Sequence, residues 1–575
     1  MVKEISFYKI VLRAIFFLWL SYQSAFYSYG QTVTESIAAY LEQAAESGLT
    51  TGIEELLELY EELERHPLNL KTAGREQLES LGILSIFQIE SLLEYRAEYG
   101  APLSVEELAL VDGFSPTLAG ILAPFISFGS ENESDMRFHS AIRLRYVPGS
   151  HYGKTDGSYR DFYYNFTGRY NDEFLFSASA GWSTERLKMV IGDYSPRFGQ
   201  GLLLWKGFSM NGSLSPANIV RRPSGFTPYK GTDKSLSFRG IGVSYSFSNG
   251  FNITSAIGAR ASGLNLSFAG ENYKIGISGL LDYTDISLNK SDDGRSTSLS
   301  GSLGYGFSAD GALSFGHLRL FSEVAYHKAF AAVAGAVYSL SYNFEASILF
   351  RYYPENYDGS FAGAYSSVSK VSNQHGITLK TLIRPSDKLL LQASAEYTYH
   401  PGPRYRIPVP SSVTKTILRI EYTPTEKWLV YSQWNFAAKS YEQTLKNDIR
   451  LGAKWNVAEW LDIQARGDCC LLFTHDTDRN GYSMQKGFAG FAEASFHFWR
   501  GKVLLTGRLT AFSTDGYPTR IYYYESDVPQ AFSIPFYYDK GLSWYALVRY
   551  KYRSGCGLCL KISPKGLRLQ ADWKF

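Results

Sequence analysis

The last nine residues of the chain alternate strictly between two kinds of side chain. Apolar Leu567, Leu569, Ala571, Trp573 and Phe575 occupy every second position, and polar residues fill the positions between them. A period of two places the two sets on opposite faces of a β-strand. The apolar face ends in two aromatic residues, as a lipid-facing strand does at a membrane interface, and the polar face must meet water or a polar lumen. The end of the chain therefore predicts a strand of a membrane barrel.

Earlier segments repeat this alternation from about Arg137 onward. The clearest alternating runs are Phe162–Tyr170, Leu236–Phe247, Ile377–Leu382, Leu389–Tyr399, Ile417–Tyr422, Trp428–Phe436, Val503–Leu509 and Trp544–Tyr552. Tight turns are expected at 171–173, 248–250, 385–387, 424–426 and 500–501, and longer polar loops near 148–158, 206–234, 354–375, 400–412, 475–483 and 514–541. Short periplasmic turns and long external loops are typical of outer-membrane barrels.

The expected fold is therefore mainly β, with a large antiparallel transmembrane β-barrel over residues 131–575. Roughly 20–24 strands are expected, within the range of large bacterial barrels. The N-terminal part and the end of the chain are both expected on the periplasmic side of the membrane. This arrangement requires an even number of strands. The 16% aromatic content and 52 glycines agree with such a barrel.

The first 130 residues follow other patterns. Residues 1–30 have the features of a secretory signal peptide, with Lys3, Lys9 and Arg13 before a short apolar core. Residues 31–130 show apolar positions at helical spacing, which predicts a small all-α periplasmic domain.

The chain as a whole resembles bacterial outer-membrane β-barrel proteins that end in an aromatic strand. In that family the barrel-assembly machinery binds the terminal strand, which makes Trp573 and Phe575 the expected assembly signal. The resemblance implies location in the outer membrane and contact with its lipid and lipopolysaccharide.

The net charge of +2 conceals two oppositely charged parts. Residues 31–130 hold 17 acidic and 4 basic side chains, a net charge of −13, whereas residues 131–575 carry +13. An acidic module joined to a basic barrel implies different environments or partners. The basic barrel favours anionic solutes or contacts with lipopolysaccharide.

Residues 68–128 resemble the tandem helix-hairpin-helix domain of competence-type DNA-binding proteins. Segment Leu68–Ala73 is similar to that family's Leu-Asn-x-Asn-Thr-Ala, and Leu92–Arg96 and Val111–Gly113 follow in register. The family's hairpins normally contain Gly-Ile-Gly, so that backbone N–H groups can approach a DNA phosphate.

Both hairpins of this chain depart from that pattern. The first is Ile83-Leu84-Ser85 and the second is Gly113-Phe114-Ser115, so that three of the four glycines are replaced. Since phosphate neutralisation supplies most nucleic-acid affinity, a module with a net charge of −13 is poorly suited to DNA. We expect it to act as a scaffold or to dock a periplasmic protein, with nucleic-acid binding as the alternative.

A second resemblance lies inside the barrel region. The segment formed by Gly192, Asp193, Tyr194, Phe198, Gly199, Gln200, Gly201 and Trp205 is similar to one shared by outer-membrane proteins that combine a helix-hairpin-helix N-terminus with a barrel. That family has no settled activity. The long loop 206–234 that follows, with Arg221 and Arg222, is expected to be a surface loop, and a loop folded into the lumen is the alternative.

Motifs for catalysis or metal binding are missing from the sequence. It contains no Gly-x-Ser-x-Gly, His-Glu-x-x-His or phosphate-loop motif. Asp476–Gly481 begins like a calcium loop, but Gly487 stands where a bidentate Glu is required, which predicts a plain turn. Cys556 and Cys559 have redox spacing on a predicted strand, which favours a structural disulfide or inert thiols. We expect no catalytic residue, metal ion or cofactor.

The sequence thus predicts a non-enzymatic pore or scaffold whose periplasmic module docks another envelope component. Two other functions remain open. One is a DNA-uptake component that uses the helix-hairpin-helix pair, and the other is a surface enzyme built from extracellular loops.

Overall fold

The computed structural model describes residues 67–81, 84–129, 138–207, 212–284, 287–290, 297–300, 303–476, 481–531, 533–553 and 555–575, together with Leu63. The proposed signal peptide, most of the predicted helical residues 33–66, Ile83 and the linker before the barrel lie outside the described residues.

Short helices form the described N-terminal part. They are α1 (Arg75–Ser80), α2 (Ile86–Tyr99), α3 (Val105–Leu108) and α4 (Pro116–Leu122), and a parallel pair of two-residue strands, β1 (Leu68–Asn69) and β2 (Ile126–Ser127), joins the two ends of this unit. The helices bury a shared core that includes Leu70, Leu78, Leu92, Leu108 and Leu122. We call this unit the helical module.

The remaining strands form the barrel and its loop hairpins. In chain order they are β3 (His139–Val147), β4 (Ser150–Tyr159), β5 (Phe162–Asn171), β6 (Glu173–Ser183), β7 (Leu187–Arg197), β8 (Gly225–Pro228), β9 (Phe238–Ser246), β10 (Phe251–Gly258), β11 (Ala261–Ala269), β12 (Tyr273–Asp282), β13 (Ser287–Lys290), β14 (Thr297–Ser300), β15 (Gly304–Phe315), β16 (Leu318–His327), β17 (Ala329–Ser341), β18 (Phe344–Tyr353), β19 (Gln374–Ser386), β20 (Leu389–His400), β21 (Ser411–Thr425), β22 (Trp428–Lys439), β23 (Thr444–Ala458), β24 (Leu461–Asp476), β25 (Gly481–Phe498), β26 (Val503–Thr514), β27 (Ile521–Tyr522), β28 (Phe536–Tyr537), β29 (Lys540–Arg553), β30 (Cys556–Ser563) and β31 (Gly566–Lys574). Short 3-10 helices span Ala123–Phe125, Pro216–Ile219, Lys234–Leu236 and Tyr517–Thr519.

Twenty-four of these strands pair antiparallel with their neighbours and close into one barrel. Strand β31 completes the ring by pairing with β3, with Tyr146 opposite Leu569 and Ala141 opposite Lys574. Strand β8 pairs only with the end of β7, and β13–β14 and β27–β28 are separate hairpins within loops. The expected strand number and its even parity are both confirmed.

The two ends of the barrel differ in their connections. At one end, which we call the short-turn end, each connection between described strands has four residues or fewer. At the other, the long-loop end, the connections 198–237, 283–303, 354–373, 401–410 and 515–539 all emerge. The predicted separation of short turns from long loops is confirmed for these segments.

One predicted loop is wrong, and another is shorter than predicted. Residues 148–158 were expected to be a loop, but Ser150–Tyr159 forms β4. The middle of this strand's outer face carries only the small residues Gly153, Thr155 and Gly157, so no apolar alternation marks it. The connection predicted near 475–483 is present between β24 and β25 but shorter, since β24 extends to Asp476 and β25 begins at Gly481, and residues 477–480 lie outside the described residues.

The tight turn at 171–173 is present, but it lies at the long-loop end. Asp172 alone separates β5 from β6, with a φ of 56°. Successive barrel strands run antiparallel, and β5 and β6 are the third and fourth of them, so this connection lies at the same end as the long loops. Tight turns therefore occur at both ends of the barrel. The two ends are distinguished by the long loops, which lie at one end.

The two faces of the wall have opposite character. On β16, Leu320 and Val324 point outward and are 38% and 50% exposed, whereas Phe321, Glu323 and His327 point into the lumen and are buried. The terminal strand β31 shows the same alternation, because Trp573 and Phe575 are exposed outside and Gln570 is 1% exposed inside. An apolar exterior and a polar lumen are required of a barrel in lipid.

Within the described part of the chain, no helix is both long and apolar enough to cross a membrane.

Candidate functional site

The segment beginning at Gly192 anchors the first inward loop to the wall. Gly192 has a φ of +109°, and a Cβ on it would lie 2.1 Å from the Ala178 carbonyl oxygen. The Asp193 carboxylate accepts hydrogen bonds from the Ala178 N–H at 2.8 Å and from Arg239 Nε at 2.9 Å. Tyr194, fully buried, has its hydroxyl 2.8 Å from the Ile257 carbonyl oxygen. These contacts fix the end of β7 where the chain leaves the wall.

The next residues form a tight turn that a wall carboxylate holds. Glu323 Oε2 accepts hydrogen bonds from the N–H groups of Gln200 at 2.7 Å and Leu202 at 3.0 Å. Gly199 and Gly201 have φ values of +55° and +85°, and a Cβ on Gly199 would lie 2.9 Å from the Glu323 carboxyl group. Phe198 N–H closes the turn on the Leu204 carbonyl oxygen at 3.0 Å.

A second loop packs on this turn inside the lumen. The Trp205 N–H donates to the Phe361 carbonyl oxygen at 2.8 Å, and the Gly363 N–H donates to the Gly201 carbonyl oxygen at 2.9 Å. The Tyr357 hydroxyl donates to the Leu202 carbonyl oxygen at 2.7 Å. Loops 198–237 and 354–373 thus share one buried core.

The expectation of a surface loop at 206–234 is wrong for the described residues. Arg221 is 5% exposed, its N–H donates to Gln200 Oε1 at 2.9 Å, and its Nε donates to the Gly363 carbonyl oxygen at 3.1 Å. The alternative, a loop folded into the lumen, is the one observed. The described residues of loop 206–234 therefore lie inside the lumen and fill part of it.

A third loop enters the lumen from the opposite wall. Loop 515–539 places Tyr523 under Arg466, whose guanidinium lies 4.6 Å from the ring centre, and Tyr523 is 0% exposed. Asp527 pairs with Lys561 at 3.7 Å and with Arg568. We refer to the described residues of loops 198–237, 354–373 and 515–539 together as the inward loops.

Beneath loop 515–539, toward the short-turn end, lies a cavity of about 240 Å³. We call it the arginine cavity. Its charged lining residues are Arg419, Arg450, Lys454, Asp462, Arg466, Glu493, Arg508 and Arg549. Tyr524 and Ser526 of loop 515–539 complete the lining, and burial raises the pKa of the Tyr524 phenol, which keeps it a neutral hydrogen-bonding group.

Ion pairs orient most of these arginines. Asp468 accepts hydrogen bonds from Arg450 Nε at 3.0 Å and from Arg466 Nε at 2.7 Å. Arg508 Nε donates to Glu493 at 2.8 Å, and its NH1 donates to the Tyr524 carbonyl oxygen at 2.6 Å. The guanidinium groups are therefore fixed before any solute arrives.

The balance of charge in the cavity is positive. Six basic and two acidic side chains line it. Glu421, which pairs with Arg419 at 2.6 Å, and Asp468 lie close by and still leave two more basic than acidic groups. An unbalanced positive charge in a confined polar lumen attracts anions.

Sequence reasoning did not identify this site. The basic residues lie on separate strands, and only the barrel register brings them together. A signal was present, because Arg419, Arg450, Arg466 and Arg508 all occupy polar positions of alternating runs. Long charged side chains at such positions indicate lumenal contacts more than surface ones.

The predicted hairpins both lead into helices. The Ser85 hydroxyl accepts a hydrogen bond from the Gln88 N–H at 3.2 Å, and the Ser115 hydroxyl accepts one from the Leu118 N–H at 3.1 Å. The side chains that replace glycine thus cap α2 and α4. Leu84 and Phe114 are buried in the module core, and Gly113, at a φ of +82°, packs against Phe87.

The start of α2, directly after the first hairpin, contacts the barrel. Phe87 N–H donates to Ser339 Oγ of β17 at 3.3 Å, and its ring stacks on His317 with centroids 5.6 Å apart. Glu79 of α1 pairs with Arg319 of β16. The helical module therefore contacts the wall at the short-turn end.

The cysteines are free thiols rather than a disulfide. Cys469 and Cys470 are consecutive on β24, and only Cys470 is buried, as the alternation of a strand requires. Cys556 and Cys559 lie on β30. Trp573 and Phe575, the expected assembly signal, lie on the outer face, as described above.

Comparison with known proteins identifies similar barrels among solved structures. The FrpB iron transporter from Neisseria meningitidis matches with a TM-score of 0.38 and 8% identity, over 78% of this chain and 84% of that one. The copper transporter OprC matches with a TM-score of 0.42 and 8% identity, over 78% and 82%. No family model matches the chain, and no curated protein matches it in sequence.

The class of the protein follows from its wall. A closed barrel of 24 antiparallel strands, apolar outside and polar inside, is an integral outer-membrane β-barrel, and the protein is located in the cell outer membrane.

Proposed function

We propose that this barrel is a non-enzymatic uptake protein that binds a small anionic solute in the arginine cavity. The observation that carries this function is the excess of fixed basic groups, six against two acidic ones, around a lumenal cavity of about 240 Å³. A guanidinium fork suits a carboxylate or phosphate because it donates two parallel hydrogen bonds.

The size of the cavity restricts the solute. Sites for drug-sized ligands usually measure about 300–1,000 Å³. A smaller cavity rimmed by arginine and tyrosine favours a phosphate-sized or short carboxylate anion. Lipopolysaccharide is too large for it, and its contacts would have to lie on the outer surface.

The inward loops separate the arginine cavity from the long-loop end of the barrel. They cross the lumen on the long-loop side of the cavity, so a solute coming from that side needs loop 515–539 to move. Loop motions of this kind commonly gate access to enclosed sites. The barrel would thus act as a gated binding protein rather than an open pore.

The helical module has a separate role in this proposal. The start of α2 contacts the barrel, whereas Tyr99, Leu103 and Leu110 on another part of the module are 70%, 76% and 80% exposed. Exposed apolar side chains within an acidic unit suit a protein partner. We assign the docking of a periplasmic component to this part of the module.

The two other functions have less support. For DNA uptake, the start of α2 would have to leave Ser339, and serine hydroxyls already accept hydrogen bonds from N–H groups at the start of α2 and α4. For a surface enzyme, the cavity lies beneath loop 515–539, toward the short-turn end, rather than among exposed loop residues.

Calorimetric titration of the purified barrel in detergent with inorganic phosphate tests the proposed function. We expect saturable binding that weakens with added salt, because the attraction is electrostatic. The double variant Lys454→Gln/Arg549→Gln should bind phosphate at least about tenfold more weakly, a loss of about 1.4 kcal/mol.

Lys446→Gln is the matched control. Lys446 lies on β23 like Lys454 but does not line the cavity. Equal phosphate affinity in the wild type and the double variant would exclude the arginine cavity as the binding site.

A further inference from the structure

Side chains from three separate segments meet at the long-loop end of the barrel. Asp282 is the last residue of β12, His327 is the last residue of β16, and Asp358 belongs to the inward loop 354–373. One ligand atom from each lies within 4.8 Å of the other two. This cluster is distant in sequence from the arginine cavity and is not part of its lining.

The orientation of His327 leaves one ring nitrogen without a partner. Its Nδ1 lies 2.8 Å from the Asp358 main-chain carbonyl oxygen, which can only accept, so Nδ1 carries the hydrogen. In the neutral ring Nε2 then presents a lone pair. The side chain is 2% exposed, and Nε2 has no hydrogen-bond partner among the described residues.

Nε2 points at a carboxylate. Asp282 Oδ2 lies 3.7 Å away, which is too far for a hydrogen bond. The other oxygen of Asp282 is occupied, because Oδ1 accepts hydrogen bonds from the Thr284 N–H at 2.9 Å and the Thr284 hydroxyl at 2.6 Å. Two electron-rich atoms thus face each other in a buried place.

The second carboxylate of the cluster, that of Asp358, is also held through its partners. Asp358 Oδ1 accepts a hydrogen bond from the Ser360 hydroxyl at 2.5 Å, and Oδ2 pairs with Lys328 at 2.7 Å. Lys328 is 59% exposed, so its ammonium group can turn toward solvent when another cation approaches. Hydrogen bonds that fix ligand side chains from behind are a regular feature of metal sites.

We propose that Asp282, His327 and Asp358 bind a divalent transition-metal ion, with Zn²⁺ as the best fit. Calcium and magnesium take oxygen ligands, whereas zinc accepts imidazole nitrogen together with carboxylate oxygen. Metal–ligand bonds of 2.0–2.2 Å in a tetrahedron separate the ligand atoms by about 3.4 Å. The observed separations need only small side-chain shifts, and the fourth position is left for water.

The metal would connect a loop to the wall. Asp282 and His327 end two wall strands, while Asp358 lies in the loop that also hydrogen-bonds to the turn at Gly201 through Gly363. Binding energy at this site would therefore stabilise the loops in the inward position.

A second histidine provides a matched comparison. His400, the last residue of β20, also has Nδ1 2.8 Å from a main-chain carbonyl oxygen, that of Asn373, and is 2% exposed with its Nε2 unpartnered among the described residues. Among the described residues, His400 has no pair of His, Cys, Asp or Glu side chains close enough to form a three-ligand metal site with it. A buried histidine of this geometry thus occurs without the two carboxylates. Comparison of His327 with His400 therefore isolates the contribution of the carboxylates to metal binding.

Zinc retention by the full-length barrel in detergent tests the proposal. The untagged protein is incubated with Zn²⁺, passed through gel filtration and analysed by mass spectrometry of metals. We expect about one zinc per chain in the wild type and in His400→Gln, and loss of that zinc in His327→Gln. Heat-modifiable mobility shows whether each variant is folded.

Asp358→Asn gives a second variant that leaves the wall strands unchanged, and it should also lose the zinc. The proposal is overturned if the folded wild type retains no zinc, or if His327→Gln and Asp358→Asn retain as much as the wild type. Equal loss in His400→Gln would also contradict it, because the zinc would then depend on buried histidines in general.

Discussion

Gly192 occupies a backbone position that other residues adopt at a cost. Its φ of +109° is compatible with glycine, and an added Cβ would come within 2.1 Å of the Ala178 carbonyl oxygen. We expect Gly192→Ala to lower the stability of the barrel by about 1–3 kcal/mol, the usual cost of such strain. Urea unfolding followed by tryptophan fluorescence measures this change.

Gly279→Ala is the control for this substitution. Gly279 is also a strand glycine, but no atom lies within 4 Å of the position of an added Cβ. Its unfolding midpoint should stay near that of the wild type. Equal midpoints for Gly192→Ala and the wild type would show that the end of β7 can relax around the new methyl group.

The sequence identified the residues of this segment without identifying their role. Gly192, Asp193 and Gln200 stood out as a pattern, yet their partners Arg239 and Glu323 lie 46 and 123 residues further along. Only the barrel register and the inward fold of the loop bring such partners together. For the same reason the basic residues of the arginine cavity could be counted from the sequence but not placed together.

At the scale of single elements, the terminal strand could be predicted best. Its alternation is uninterrupted, and both Trp573 and Phe575 lie outside, 42% and 70% exposed. We expect Trp573→Ser/Phe575→Ser to abolish assembly into the outer membrane, because the aromatic end is the expected signal for the assembly machinery. Heat-modifiable mobility of the outer-membrane fraction reports the folded barrel.

A matched pair of outward aromatic residues separates this signal from a general need for aromatic groups. Phe498 and Trp544 lie on β25 and β29 and are 44% and 47% exposed. Phe498→Ser/Trp544→Ser should still assemble at a substantial level. Similar amounts of folded barrel from both double variants would exclude a special role for the last strand.

Elements with a less regular pattern were predicted less well. Strand β4 lacks an apolar outer face, and its buried side chains Lys154 and Asp156 are charged, so the alternation of hydrophobicity that marks other strands is missing. The direction of loop 206–234 depends on contacts with Gly363 in a distant loop. Neither strand β4 nor the inward direction of this loop can be predicted from the local periodicity of hydrophobic residues.

At the scale of the whole molecule, the two ends of the barrel have different tasks. The inward loops and the proposed zinc site belong to the long-loop end. The arginine cavity and the contact with the helical module lie toward the short-turn end. The acidic module, with its charge of −13, contacts the barrel, whose net charge is +13, at the short-turn end. The account therefore requires one orientation in the membrane.

Cysteine labelling in intact cells tests this orientation directly. Tyr441 and Tyr517, exposed at the long-loop end, and Asp387 and Glu426, exposed in short turns, are each changed to Cys after Cys469, Cys470, Cys556 and Cys559 are replaced by Ser. An impermeant maleimide should label Tyr441→Cys and Tyr517→Cys in intact cells. It should label Asp387→Cys and Glu426→Cys only after the outer membrane is permeabilised. The opposite result would invert the barrel and place the arginine cavity on the outside, which contradicts the account.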